Sequence, residues 1–231
     1  SVMGAGDECA TAIPLTLTAA RTTVTGTTAT ASPSVGSCDT GNDLWFVFRL
    51  TQRERVFLNT YGSAFDTLLA LTTGCGAIVP ACTNDSCSGV QTEIVQTLDP
   101  GTYYVLLDGR GTASGSYTLN IEHLPVAQDG TARALGAGAS TMTGSTALPG
   151  NGLVNGTCGG VSTSSEHSFF WTTCPGGTGG TFTGTTCVAG TVYDTIVYLR
   201  SGGTGTDIAC NDDGSSVACG EPASEITGTV P

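Results

Sequence analysis

The stretch Phe65-Asp66-Thr67-Leu68-Leu69-Ala70-Leu71, with Ala81-Cys82-Thr83-Asn84-Asp85 after it, decides the fold because the chain contains it twice. It returns as Tyr193-Asp194-Thr195-Ile196-Val197-Tyr198-Leu199, followed by Ala209-Cys210-Asn211-Asp212-Asp213. In both copies an aromatic, an Asp and a Thr lead into an apolar run, and the interval from the Asp to the Cys is 16 residues. A short apolar run bounded by turn residues has the length of a buried strand. The repeat therefore predicts two tandem units, 1–125 and 126–231, joined by a linker near Pro125–Gly130.

Working outward, Asp43-Leu44-Trp45-Phe46-Val47-Phe48-Arg49-Leu50 alternates with period two. Leu44, Phe46, Phe48 and Leu50 fall on one face of a strand, and Trp45, Val47 and Arg49 on the other. Arg53-Glu54-Arg55 reads as a charged turn. Further strands are expected at Val24–Thr28, Val56–Thr60, Thr92–Leu98, Thr102–Gly109 and Ser116–Ile121, with Asp99-Pro100-Gly101 and Gly111–Gly115 as turns. Short strands at this spacing predict an all-β fold of two antiparallel, jelly-roll-like sandwiches. In the second copy, Glu166–Thr172 matches the Trp45 strand and Gly180–Thr185 the Phe57 strand.

The copies are unequal. Asp66 to Leu124 is 58 residues, whereas Asp194 to Pro231 is 37. The second copy lacks about 21 residues, the counterparts of the Tyr103–Leu107 and Tyr117–Ile121 strands. A sandwich without them exposes core and open edges. Three readings stay open: a longer protein of which this is a piece, strands donated by another chain, or an edge capped by a neighbouring subunit's N-terminal segment. Ser1 is read as a mature N-terminus after removal of a leader, or as the start of a trimmed piece.

Seven Arg, no Lys and 19 acidic residues give a net charge of −12. An acidic surface repels phosphate backbones and anionic membranes, so neither nucleic-acid binding nor membrane insertion is expected. No apolar stretch of about 18 residues is present. Ten cysteines without zinc-type spacing indicate disulfides and a secreted, extracellular or cell-surface protein. Each copy holds five. Local pairing is expected for Cys82–Cys87, Cys210–Cys219 and Cys174–Cys187, which leaves Cys9 for Cys38. Cys75 and Cys158 then remain for a bond between domains or subunits, or free. A rival Cys75–Cys82 bond would release Cys87.

Candidate sites are few. Asp66 and Asp194 at strand entries, with Asp85, Asp212 and Asp213 in the loop after the following hairpin, could supply oxygens to calcium, or serve as turn and cap acceptors. Asp7, Glu8 and Asp43 form a second acidic group. Trp45, Trp171, Tyr103 and Tyr104 are either an aromatic sugar platform or core. His123 and His167 belong to no HExxH motif, and no GxSxG elbow occurs, so no catalytic residue is assigned. Asn84-Asp85-Ser86 and Asn155-Gly156-Thr157 are glycosylation sequons.

In order along the chain, Asp7-Glu8-Cys9, Asp43 with Trp45-Phe46-Val47-Phe48, Gly62-Ser63 with Phe65-Asp66-Thr67, and Cys82 with Asn84-Asp85 form a pattern. Gly101-Thr102-Tyr103-Tyr104-Val105, Asp108-Gly109 and Ser114-Gly115-Ser116-Tyr117-Thr118-Leu119 complete it. The pattern resembles the bacterial pre-peptidase C-terminal domain, in the tandem version of myxobacterial-type secreted proteins. The second copy matches from about Gly144 and departs in having Glu166-His167 before its Trp strand. The resemblance implies β-sandwiches of about 100 residues, appended to secreted proteases and dispensable for their chemistry, some binding matrix polymers and some calcium. The expected function is a non-catalytic structural or adhesive protein, a filament or matrix subunit. Its partners would be copies of itself or a surface polymer. The alternative is a substrate-targeting module of a secreted hydrolase.

Overall fold

The structure, a computed structural model, describes residues 4–18, 21–34, 37–76, 82–125, 133–134, 138–146, 156–160, 164–177, 179–202, 206–214 and 219–230. Among the described residues the structure is all-β apart from one turn of 3-10 helix at Cys9–Thr11, and the chain divides into units Ser1–Pro125 and Val126–Pro231. The linker expected after Pro125, and the sequon residue Asn155, lie outside the described residues.

The first unit contains β1 (Ile13–Pro14), β2 (Thr22–Thr27), β3 (Leu44–Leu50), β4 (Glu54–Asn59), β5 (Thr67–Thr72), β6 (Thr83–Asn84), β7 (Glu93–Leu98), β8 (Gly101–Gly109) and β9 (Ser116–Pro125). They form two sheets, ordered β1-β3-β8-β5-β6 and β2-β9-β4-β7. Every pairing is antiparallel except the short parallel contact of β1 with β3. The alternation along β3 appears as expected. Leu44, Phe46, Phe48 and Leu50 join Val56, Leu58, Leu69, Val105, Leu107, Leu119 and Ile121 between the sheets. On the outer face of the five-stranded sheet, Trp45, Ala70 and Leu106 make a second buried cluster, roofed by Cys9, Ala12, Cys38 and Cys82. Trp45 and Tyr103 are therefore packing residues, not an exposed sugar platform.

β8 is the centre of its sheet, with β3 on one side and β5 on the other. β9 is central in the other sheet, between β2 and β4. The β8–β9 pair thus fastens each sheet at its middle. β9 also runs past Ile121 to Pro125, and this corrects the charged turn expected at Arg53–Arg55. Glu54 and Arg55 are instead the first residues of β4, opposite Pro125 and Leu124. There the buried Glu54 carboxylate meets His123 Nδ1, while His123 Nε2 is 2.8 Å from the Thr18 carbonyl oxygen.

The second unit contains β10 (Arg133–Ala134), β11 (Phe169–Phe170), β12 (Gly180–Thr185), β13 (Val197–Arg200), β14 (Asp207–Asn211) and β15 (Glu225–Val230). They form three two-stranded sheets: β10 parallel to β11, and β12–β15 and β13–β14 antiparallel.

The disulfides correct the expected local pairs. Cys9 bonds Cys75 and Cys38 bonds Cys82; in the second unit Cys158 bonds Cys210 and Cys187 bonds Cys219. None of the bonds Cys9–Cys38, Cys82–Cys87, Cys174–Cys187 or Cys210–Cys219 forms, nor does the rival Cys75–Cys82. Cys75 and Cys158, set aside for contacts outside their domain, are each used within it. Cys87 and Cys174 are also disulfide-bonded, and none of the ten is free. The physical reason is the roof over the outer face. It brings Cys38 across the sheet to Cys82, whereas Cys87 lies beyond β6 in a tight turn with positive φ at Asp85, Cys87 and Ser88. Its sulfur sits 3.0 Å from the Tyr61 hydroxyl.

Candidate functional site

The duplicated stretch is held in both units by the same hydrogen-bond device. In the first, the Thr60 and Thr67 hydroxyls lie 2.6 Å apart, and Thr60 Oγ1 accepts the Thr92 N–H at 2.9 Å. In the second, the Thr186 and Thr195 hydroxyls lie 2.7 Å apart, and Thr186 Oγ1 accepts the Ser224 N–H at 2.9 Å. The strand registers repeat as well. Asn59 opposite Glu93 becomes Thr185 opposite Glu225, and Leu69 opposite Thr83 becomes Val197 opposite Asn211. These positions of the two units therefore correspond, and the differences around them can be compared.

The difference lies over the aromatics. Phe46 is fully buried, with its ring 5.8 Å edge-on from Tyr117 of β9. Its counterpart by strand pairing, Phe169, is 42% exposed. Phe65 is 9% exposed because Gly109 and Gly115, at the two ends of the β8–β9 turn, lie on its ring; a Cβ on either would stand 3.4 and 3.5 Å from it. Its counterpart Tyr193 is 51% exposed, and the neighbouring Val192 is 86% exposed. In the second unit, then, the residues that β8 and β9 would cover face solvent. This open face is the principal candidate site. Trp171 is partly sheltered by stacking on Phe182 at 4.7 Å.

The acidic residues at one end of the first unit are structural acceptors. Asp43 precedes β3 and Asp108 ends β8, and both are fully buried. Asp108 accepts the backbone N–H groups of Asp39 at 2.9 Å and Gly109 at 2.7 Å, and burial raises its pKa. Asp39 accepts the N–H groups of Gly111 and Thr40, which hold its carboxyl below the usual range. Together they lash the Cys38–Asn42 loop onto β8. Gly41 belongs to this contact, because a Cβ there would stand 2.1 Å from the Gly109 carbonyl oxygen. Asp43 accepts both the N–H and the hydroxyl of Ser34, whose Oγ also accepts Trp45 Nε1–H at 3.0 Å.

Burial pushes the Asp43 carboxyl up to about 6 from 3.8, against the Ser34 hydrogen bonds and with a contribution from Asp108. A raised folded-state pKa means stability that is fully present below pH 3.8 and lost as pH rises through about 6. Asp43→Asn keeps an acceptor for Ser34 and removes the charge. Its unfolding free energy, measured in denaturant at several pH values, should fall less between pH 3.8 and 6 than that of the wild type. An unchanged slope would refute the assignment.

Among the described residues, no three of the acids put forward for calcium bring carboxylate oxygens within 4.8 Å of one another. Among the described residues, one group of three His, Cys, Asp or Glu side chains brings its ligand atoms within 4.8 Å: Cys187, Cys219 and Glu225. Its two sulfurs are bonded to each other. Asp85 lies 3.4 Å from Arg110 Nη1 and accepts Asn84 Nδ2–H at 3.0 Å. Asp66 Oδ1 and Asn84 Oδ1 are buried without a hydrogen-bond partner. Asn84, placed in β6 and engaged with Asp85, is a poor acceptor for a glycan. His167 Nε2 lies 2.8 Å from the Ser145 carbonyl oxygen, so both histidines are tied to the backbone. Sequence reading missed the Glu54–His123 pair and the Thr–Thr–Thr/Ser device. The device was visible in the alignment of Thr60, Thr67 and Thr92 with Thr186, Thr195 and Ser224.

No protein-family model matches the chain, and no curated protein matches it. Among solved structures, it is similar to the pre-peptidase C-terminal domain of a collagenase from Bacillus anthracis, at 14% identity and a TM-score of 0.36, over 48% of this chain and 94% of that one. It is also similar to PliG, a periplasmic inhibitor of g-type lysozyme from Aeromonas hydrophila, at 11% identity and a TM-score of 0.35, over 48% of this chain and 95% of that one.

Proposed function

We propose that the chain is a non-catalytic, extracellular structural or adhesive protein built from pre-peptidase C-terminal-type sandwiches. In this reading its second unit takes up strands from another polypeptide, as in a self-assembling surface or matrix filament. The observation that carries the reading is the contrast between a first unit closed by β8–β9 and a second unit with the same registers but three separate two-stranded sheets. Unfilled sheet edges and exposed aromatics are the features through which chains add strands to one another. The disulfides support an oxidising compartment. The net charge of −12 argues against nucleic acid and anionic membranes as partners. No described helix is long and apolar enough to cross a membrane.

The test is the assembly state of the disulfide-intact chain. Light scattering over a concentration series should show dimers or larger species that grow with concentration. A monodisperse monomer throughout would sink the assembly reading. It would favour instead an accessory targeting module of a secreted hydrolase, a role the closed first unit suits because it has its own core and two bonds of its own.

A further inference from the structure

We propose that Glu54 and His123 form a proton-dependent clasp, which holds the N-terminal strap Ile13–Thr18 against the core of the first unit and lets it go as pH rises.

The strap continues β1. The Leu15 N–H donates to the Val47 carbonyl oxygen at 2.8 Å, and Leu15 and Leu17 pack against the buried cluster between the sheets. At Thr18 the strap reaches a titratable side chain. Its carbonyl oxygen lies 2.8 Å from Nε2 of His123, a residue of β9, and the other ring nitrogen, Nδ1, meets the carboxylate of Glu54 on β4. One imidazole thus ties the strap to two neighbouring strands of the four-stranded sheet.

The atoms fix the number of protons. A carbonyl oxygen only accepts, so Nε2 carries the hydrogen of its contact with Thr18. With hydrogen on Nε2 alone, Nδ1 presents a lone pair, and an ionised carboxylate presents lone pairs as well. The contact of Nδ1 with Glu54 therefore needs a second proton, held on the ring or on the carboxyl. With that proton it is a charge-assisted hydrogen bond. Without it, lone pair faces lone pair at a place where the two side chains are only 6% and 18% exposed, and water does little to screen the repulsion.

The surroundings leave this proton to the pair. In the ladders Glu54 stands opposite Leu98 and His123 opposite Val56, both uncharged. The charged residues adjoining the pair in sequence have their own partners: Arg53 meets Asp99, Arg55 Nη1 donates to Thr97, and Glu122 meets Arg21. Tyr103 and Tyr117 also face the core, and burial pushes both hydroxyls above their ordinary value, out of the range in question. Once the strap is released, the imidazole loses its extra proton above its ordinary value of about 6.5. Above that pH, closing the strap takes up a proton. The grip is therefore full below it and weakens as pH rises, by at most about tenfold in the closing equilibrium per pH unit.

The experiment is deuterium exchange of the disulfide-intact chain, read by mass spectrometry on peptides covering Ile13–Thr18 at several pH values from about 6 to 9. A free peptide of the same sequence corrects for the chemical exchange rate. Corrected exchange of the strap should rise by more than about tenfold over this range, while peptides from Tyr103–Leu107 stay protected. Glu54→Gln supplies an amide N–H that can donate to Nδ1 of a neutral imidazole, so it keeps the contact without the extra proton. Its strap should stay closed with no dependence on pH. A flat corrected profile in the wild type, loosening of Tyr103–Leu107 in parallel with the strap, or a Glu54→Gln strap that opens as steeply as the wild type would each overturn the proposal. If Glu54→Gln does not fold, the wild-type profile of the strap against Tyr103–Leu107 decides.

Discussion

Replacing Cys38 and Cys82 together by alanine should cost about 4 kcal/mol of stability, which for a unit of this size lowers the melting temperature by about 10–20 °C. The bond joins residues 44 apart, and cross-linking a loop of that length removes much of the unfolded chain's freedom. The folded state depends on it too. Cys38 and Cys82 pack over Trp45, Ala70 and Leu106, and the loop that carries Cys38 is otherwise held by the Asp39 and Asp108 carboxylates. Calorimetry of the double variant measures the loss. A cost under about 1 kcal/mol would mean that these carboxylates hold the loop without the covalent bond.

Phe46→Ala should be nearly as damaging, at about 3–5 kcal/mol, because the side chain is fully buried between the sheets and its removal leaves a cavity. The same substitution at the equivalent position, Phe169→Ala, should cost less than about 1 kcal/mol, since the ring is already half in water. With one tryptophan in each unit, Trp45 in the first and Trp171 in the second, denaturant unfolding followed by fluorescence in Trp171→Phe and Trp45→Phe backgrounds separates the two effects. Equal costs at the two positions would show that Phe169 is covered in solution, which would sink the account of an open face.

The architecture was legible because strand alternation and duplication are local, countable properties. The Leu44–Leu50 pattern placed a strand and its inner face correctly. The alignment of Asp66–Cys82 with Asp194–Cys210 brought out the duplication. What stayed hidden depends on contacts between residues far apart in sequence. Spacing favoured Cys82–Cys87, but the outer face of a sheet gathers Cys9, Cys38 and Cys82 from three segments, with Cys75 bonded to Cys9 beside them. Glu54 looked like a turn residue because nothing local indicates that β9 continues as far as His123. Nothing local shows that the Asp108 carboxylate, near the end of its strand, accepts the Asp39 N–H at a separation of 69 residues. The exposed aromatics of the second unit were not legible in its sequence. Which side chains line the candidate face emerged only when the buried Phe46 and Phe65 were set beside the exposed Phe169 and Tyr193.

The cystines of the first unit also govern how it would behave under load. Cys9–Cys75 short-circuits the chain, so a pull applied at the ends of this unit bypasses everything between them. At most the segment from Cys75 to Pro125 can pay out, 125 − 75 = 50 residues or roughly 175 Å at full extension, and less while the bond at Cys87 also holds. That segment contains the edge strands β6 and β7, each held on one side, and then β8 and β9, which must leave a neighbour on each side before their length is released. Such a unit gives up its edge strands first and its central pair last, and once Cys9–Cys75 is reduced it can be drawn out along its whole length.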